Sequence, residues 1–206
     1  STCPSDNLYR IIGVFGSEVK LIKSTSYGEY VWNSGVSNTW STSDIKNTLN
    51  TTYLNTFSDT WQNKIATHTW KVGGMARDDS YTAKQYYNTE VGSSSSSTTD
   101  SMKIGLMYVS DYGFSSDTSD WNIPMYDYFY ADSYSGNNWL CSGLHEWTIS
   151  PYSSSSNSVF RVYNDGTLSL DRASDGGSSA RPVFYLNSNV SYVSGDGSQS
   201  NPFRIN

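Results

Sequence analysis

Two histidines are the first places to look for chemistry, because histidine titrates near neutral pH. His68 lies in Thr67-His68-Thr69-Trp70, a run that reads as a strand and gives the ring a structural role. His145 precedes Glu146, a pair that can polarise water only if both side chains reach one site. Neighbouring residues of a strand point to opposite faces, so a shared site would need a bend. The serines show no spacing relation to either histidine, and no G-x-S-x-G elbow occurs. Phosphate-binding glycine motifs are also absent from the sequence. Asp78-Asp79 reads as solvated loop charge rather than an acid–base pair. Asp165, Asp171, Asp175 and Asp196 carry oxygens suited to calcium, but Asp165-Gly166 and Asp196-Gly197 read first as turns. Cys3 and Cys141 fit neither a C-x-x-C redox motif nor a four-cysteine zinc site. They are either two separate thiols or one disulfide joining the N-terminal end to the middle of the chain. The expectation is a protein that is not an enzyme, with no cofactor; calcium has no motif behind it.

Binding chemistry is concentrated in residues 152–179, where Tyr, Ser, Asn and Asp dominate. Val159, Val162, Leu168 and Leu170 read as inward-facing. That leaves Phe160, Arg161, Tyr163, Asn164, Asp171, Arg172, Ser174, Asp175 and Ser178 for display, joined by Tyr152 and Ser154 from the preceding loop. Aromatic and arginine side chains ringed by small polar ones have the chemistry of interface hot spots.

Composition supports a binding role. The chain has 206 residues, long enough for a sizeable core, and only 16% are charged. Ser, Thr, Asn, Gly and Tyr replace the usual Lys and Glu, as on secreted domains and paratopes. Net charge is −6 with no Lys/Arg cluster, which argues against nucleic acid. The apolar runs are too short to span a bilayer. Ser1 in place of Met leads us to expect a leader or anchor that was removed or lies upstream. The expected location is extracellular or at the cell surface.

These residues must be held by strands. Leu8 to Phe15 and Glu18 to Lys23, joined by Gly16-Ser17, predict a hairpin. Ser43 predicts a helix cap, with Ile45, Leu49 and Tyr53 on one face. A second short helix is expected to begin near Ser58-Asp59, with Asp59 and Gln62 at capping-box spacing and Trp61 and Ile65 on one face. Thr67 to Val72 reads as a strand, residues 77–101 as a long surface loop, and Lys103 to Ser110 as a buried strand. Residues 111–137 read as irregular. Further strands are expected at Asn138 to Ser142, Glu146 to Ser150, Val159 to Tyr163, Thr167 to Leu170, Arg181 to Leu186 and Asn201 to Ile205. The last is expected to pair with the N-terminal strand.

Several segments, in order, resemble a bacterial surface-domain family that is itself similar to C-type-lectin-like domains. They are Trp40-Ser41-Thr42-Ser43-Asp44-Ile45 with Leu49-Asn50, Tyr53-Leu54 and Phe57-Ser58; Ile104 to Ser110; Trp139-Leu140-Cys141-Ser142; Glu146-Trp147-Thr148-Ile149-Ser150; Val162-x-x-Asp165-Gly166; and Ala180-Arg181-Pro182-Val183-Phe184-Tyr185-Leu186. The resemblance extends to variable proteins of diversity-generating retroelements, including pilin-like versions from gut bacteria. It implies an α+β, C-type-lectin-like fold with mixed and antiparallel sheets, adjacent N- and C-terminal strands, two short flanking helices and long irregular loops. It further implies one ligand-binding domain over residues 1–206, with a variable-region-like segment at 147–186. The implied partner is a protein on another cell, a phage or a host surface. A glycan partner and a structural pilus or surface-layer subunit are the alternatives, and attachment to a pilus or surface anchor would accompany them. The Glu-Pro-Asn and Gln-Pro-Asp tripeptides of calcium-dependent lectins are absent from the sequence, Asn201-Pro202 being the nearest fragment. The two cysteines match no copper-site motif of the similarly folded formylglycine-generating enzymes.

Overall fold

Gly16, at φ +63°, and Ser17 reverse the chain between β1 (Tyr9–Phe15) and β2 (Glu18–Lys23), as the two apolar runs predict. The computed structural model describes residues 7–125 and 138–206. Chain order continues with β3 (Gly28–Tyr30), α1 (Asp44–Thr48), α2 (Asp59–Gln62), β4 (His68–Lys71), α3 (Ala83–Glu90), β5 (Thr99–Met102), β6 (Ile104–Gly105) and α4 (Val109–Phe114). The last third holds β7 (Glu146–Pro151), β8 (Ser158–Val162), β9 (Leu168–Arg172), β10 (Ser178–Ala180), β11 (Val183–Leu186), β12 (Tyr192–Ser194) and β13 (Arg204–Ile205). The architecture is α+β. One sheet has the order β1-β2-β11-β6 and is antiparallel throughout. A second has the order β3-β10-β7-β8-β9, with β10 parallel to β7 and the other pairs antiparallel. β4–β5 and β12–β13 form small separate ladders.

The N-terminal half shows where local signals held and where packing overrode them. Ser43 Oγ accepts from Lys46 N at 3.3 Å, and Ile45, Leu49 and Tyr53 are buried as their spacing predicts. At α2 the expected cap is corrected. Ser58, not Asp59, is the N-cap, and Gln62 Nε2 donates to Phe57 O at 3.0 Å. The helix is one turn long, so Trp61 is exposed while Ile65 is buried beyond its end. The expected loop at 77–101 contains α3 and β5. A full capping box, Thr82 with Gln85, starts α3, whose inner face is Ala83, Tyr86 and Glu90. The expected strand at Lys103 to Ser110 lasts two residues. Asp111 Oδ2 then accepts from Tyr108 N at 2.8 Å and starts α4. Asn138 to Ser142 is a turn rather than a strand, because Asn138 Oδ1 accepts from Leu140 N and its carbonyl from Cys141 N, both at 3.0 Å. Cys141 is half-buried; Cys3 lies outside the described residues, and with it the choice between two thiols and a bridge.

The C-terminal pairing is also corrected. β13 pairs with β12, and among the described residues β1 is paired with β2 alone. Gly195 at φ +103° lets the backbone fold tightly onto Pro202, which returns the chain on itself.

Packing depends on tryptophans and buried charge as well as aliphatics. Trp32, Trp40, Trp70 and Trp147 are fully buried. Glu90 joins three elements. Its oxygens accept from Val109 N at 3.0 Å, Ser110 N at 2.9 Å, Ser110 Oγ at 2.6 Å and the hydroxyl of Ser150 on β7. Arg181 Nε lies 2.5 Å from Glu146 Oε1 and Nη2 lies 2.8 Å from Oε2; Nη2 also donates to Leu140 O. That pair is bidentate and buried on both sides.

Arg181→Met should cost about 3–5 kcal/mol in urea unfolding, because it leaves Glu146 buried without its cation. Adding Glu146→Leu should recover most of the loss; an equal deficit in both variants would contradict this account. Burial raises the pKa of Glu90, so the folded state takes up a proton at higher pH than the unfolded chain does. Stability relative to Glu90→Gln should therefore increase as pH falls from neutrality toward the ordinary carboxylate range. Urea midpoints across that range test the sign.

Candidate binding surface

The five-stranded sheet sets the geometry of the C-terminal surface. Trp147 on β7, Arg161 on β8 and Ser169 on β9 are direct cross-strand partners, so they share a face. The Arg161 guanidinium lies 5.4 Å from the Trp147 ring centre and 4.7 Å from that of Tyr163. Its Nε is 2.9 Å from Asp171 Oδ2, an ion pair without hydrogen-bond alignment. Its Nη1 donates to Ser178 Oγ at 2.7 Å. Four contacts therefore fix this side chain, of which only 12% is exposed. The His145 ring meets Tyr163 edge-on at 5.0 Å, and its Nδ1 is buried without a partner among the described residues.

The structure divides the sequence-predicted residues. Ser154, Asn164, Arg172 and Asp175 are exposed, and Tyr152, Tyr163, Asp171 and Ser174 are half-buried. Phe160 and Ser178 are not displayed, which corrects the expectation for both. Phe160 is fully buried on the opposite face of β8 from Arg161, with its ring 6.0 Å from Tyr152. Ser178 is buried on β10 between β3 and β7 and serves as the Arg161 acceptor. Arg161 is a clamp rather than a free contact residue. Leu170, expected inward, is half-buried. Trp147 and His145 belong to the face and were missed; pairing the Glu146 and Val159 runs in antiparallel register would have placed Trp147 beside Arg161.

The chemical candidates are dispersed. Glu146 turns inward to Arg181 while His145 packs on Tyr163, so the pair shares no site. His68 stacks on Tyr185 at 3.8 Å and its Nδ1 lies 2.7 Å from Glu18 Oε2. Asp165 Oδ1 accepts from Thr167 N at 2.9 Å and from Thr167 Oγ1 at 2.7 Å. Partial burial works to raise the Asp165 pKa, but these bonds and nearby His145 outweigh it and lower the value. Asp171 faces Arg161, and Asp196 Oδ1 accepts from Ser198 N at 2.9 Å. Among the described residues no group of three or more His, Cys, Asp or Glu side chains could hold a metal.

Tyr152 belongs to a different place. Asn38 Nδ2 donates to Tyr152 O at 3.2 Å and to Ser155 O and Ser158 O at 2.8 Å each. One side chain from the N-terminal half thus pins the 152–158 turn, and no local signal in the sequence announces it. Gly74, at φ +65°, brings the backbone against Pro151, where a Cβ would collide with the carbonyl oxygen. Between these segments lies a cleft of about 260 Å³, lined by uncharged residues that include Ser41, Thr99, Tyr152 and Ser153. The hydroxyls of these four make no hydrogen bond to the described residues.

Residues 17–188 match a domain of unknown function, DUF6273. The chain belongs to that family. The DUF6273 span begins one residue before β2 and ends two after β11, and these two strands are antiparallel neighbours. It contains the Arg161 face and the Tyr152 cleft whole. No curated protein and no solved structure matches the chain.

Asn38→Ala should cost about 2 kcal/mol, because its two N–H donors, shared among three carbonyls, are worth about 1 kcal/mol each. Amide exchange at Tyr152 and Ser155 should accelerate with the mutation. Unchanged exchange there would show that Asn38 does not hold the turn.

Proposed function

We propose that this DUF6273 domain is a non-enzymatic, extracellular binding module of C-type-lectin-like fold, presenting the turns around β7 to β10 to a protein on another cell, a phage or a host surface. On this reading it works as retroelement-diversified variable proteins do, with a fixed scaffold and exchangeable exposed positions. One observation carries the proposal: the separation of fixed from free residues within 152–179. Phe160, Arg161 and Ser178 are locked by packing or hydrogen bonds, whereas Ser154, Asn164 and Asp175 project from turns and Arg172 from the end of β9. Half-buried Tyr163 sits among them and supplies rigid aromatic area at low entropic cost. The lectin-like reading draws support from β2 and β11, which lie near the two ends of the family span and pair with each other.

Sequences of close relatives, together with the gene neighbourhood, test this. Exchanges should concentrate at Ser154, Tyr163, Asn164, Arg172, Ser174 and Asp175 and spare Phe160, Arg161 and Ser178. A reverse transcriptase with a template repeat should lie nearby. Exchanges as frequent at the three locked positions as at the exposed ones would sink the proposal.

A carbohydrate reading has its own support in the Tyr152 cleft, whose uncharged lining combines an aromatic ring with hydroxyls that make no hydrogen bond to the described residues. On a glycan array, binding that survives removal of calcium and is lost in Tyr152→Ala would favour it.

A further inference from the structure

A second cavity lies outside both of these places. It measures about 330 Å³ and is bounded by Ile12 and Phe15 of β1, Tyr87 of α3, Ser110, Asp111, Phe114 and Ser115 at α4, and Trp139. That size falls at the lower end of small-molecule sites, about 300–1,000 Å³. Aromatic rings from four separate segments form its walls. Arg10 fixes Trp139, with its guanidinium 4.7 Å from the ring centre and Nη1 donating to Trp139 O at 2.8 Å.

The polar groups decide what such a cavity takes. Ser110 Oγ is spent on Glu90, and Ser115 Oγ donates to Tyr112 O and meets Asn138 Oδ1. Asp111 is different. Its side chain is only 6% exposed, and its Oδ2 is held by Lys20 Nζ at 2.5 Å and by Tyr108 N at 2.8 Å. Its Oδ1 has no partner among the described residues, and neither has the Tyr87 hydroxyl. The cavity therefore offers a fixed acceptor and a phenol hydroxyl. Charge narrows the class further. Lys20, itself enclosed by the rings of Phe15, Trp70, Tyr108 and Tyr185 at 4.4–5.6 Å, already neutralises Asp111. A cationic ligand would meet Lys20 and Arg10, and an anionic one would meet Asp111.

We propose that this cavity binds a small, uncharged aromatic molecule bearing one N–H or O–H donor, a phenol or an indole, with the ring between Phe15, Phe114 and Trp139 and the donor on Asp111 Oδ1. The site is independent of the surface at β7 to β10, so either can fail without the other.

Titration of the full chain with 4-methylphenol, indole and toluene, followed by amide and indole NMR shifts, tests this. The two donors should bind in the millimolar range or tighter, shifting Ser110, Asp111 and the Trp139 indole. Toluene lacks the donor and should bind about tenfold more weakly, the loss of one buried hydrogen bond. Ile12→Trp should fill the cavity and abolish these shifts. Tyr87→Phe, which keeps the ring and the packing, should retain the preference for donors over toluene because Asp111 sets it. Absence of saturable shifts, shifts centred elsewhere, or equal binding of toluene and 4-methylphenol would each overturn the proposal. So would retained binding in a folded Ile12→Trp; if that variant does not fold, the toluene comparison in the natural chain and in Tyr87→Phe decides.

Discussion

The guanidinium of Arg181 sits where the chain leaves one sheet and enters the other. Ala180 ends β10, and its carbonyl accepts from Tyr27 N at 2.9 Å. Pro182 precedes β11, and its carbonyl accepts from Lys23 N at the same distance. Between them Arg181 points inward, grips both oxygens of Glu146 at the start of β7 and reaches the Leu140 carbonyl. The two flanking residues thus commit their carbonyls to the segment from β2 to β3, and Arg181 commits its side chain to β7. A lysine could not replace this geometry, because only the planar fork meets a carboxylate with two parallel bonds while serving a carbonyl as well. The junction lies beside the β10–β7 pairing, and the β7–β8 register then sets Arg161 opposite Trp147.

The same device recurs deeper in the core. Glu90 collects donors from α4 and β7, and Asp111 starts α4 while holding Lys20. A buried carboxylate surrounded by donors has few alternative arrangements of low energy, since each lost bond leaves an unsatisfied group. Short helices such as α3 and α4 have little intrinsic stability. The capping box of Thr82 and Gln85 starts α3, and Glu90 near its end accepts from the first two amides of α4, which is how eight-residue and six-residue helices can hold cavity walls in register.

What the sequence revealed follows from how local each determinant is. The β1–β2 turn, the Ser43 cap and the β8–β9 turn are written in adjacent residues, and they are found where those residues put them. α3 was hidden because its inner face uses a glutamate where an aliphatic would give the helical period away. α4 was hidden because Val109 to Gly113 is buried on all sides, so no alternation or stripe marks it. For the surface, the segment was legible and the face was not. Treating Phe160 and Arg161 as displayed together ignores the twofold period of a strand, which must send them opposite ways. Clamps such as Asn38, more than a hundred residues from the carbonyls it holds, have no local signature.

Under the proposed binding function, β8 explains why exchangeable positions should lie in turns and at strand ends. Phe160 on one face backs Tyr152, and Arg161 on the other is sandwiched by Trp147 and Tyr163. With both faces engaged, the strand has no position that can change without disturbing one side of the sheet. The turns at 153–157, 163–167 and 173–177 have fewer such commitments, because their backbones are fixed by hydrogen bonds that do not depend on most of the side chains they carry. Tyr163 N donates to Thr167 O, Ala173 N to Asn157 O and Asp175 N to Arg172 O. Main-chain anchoring leaves side-chain identity available for recognition. A binding surface built this way can vary in chemistry while its shape stays constant.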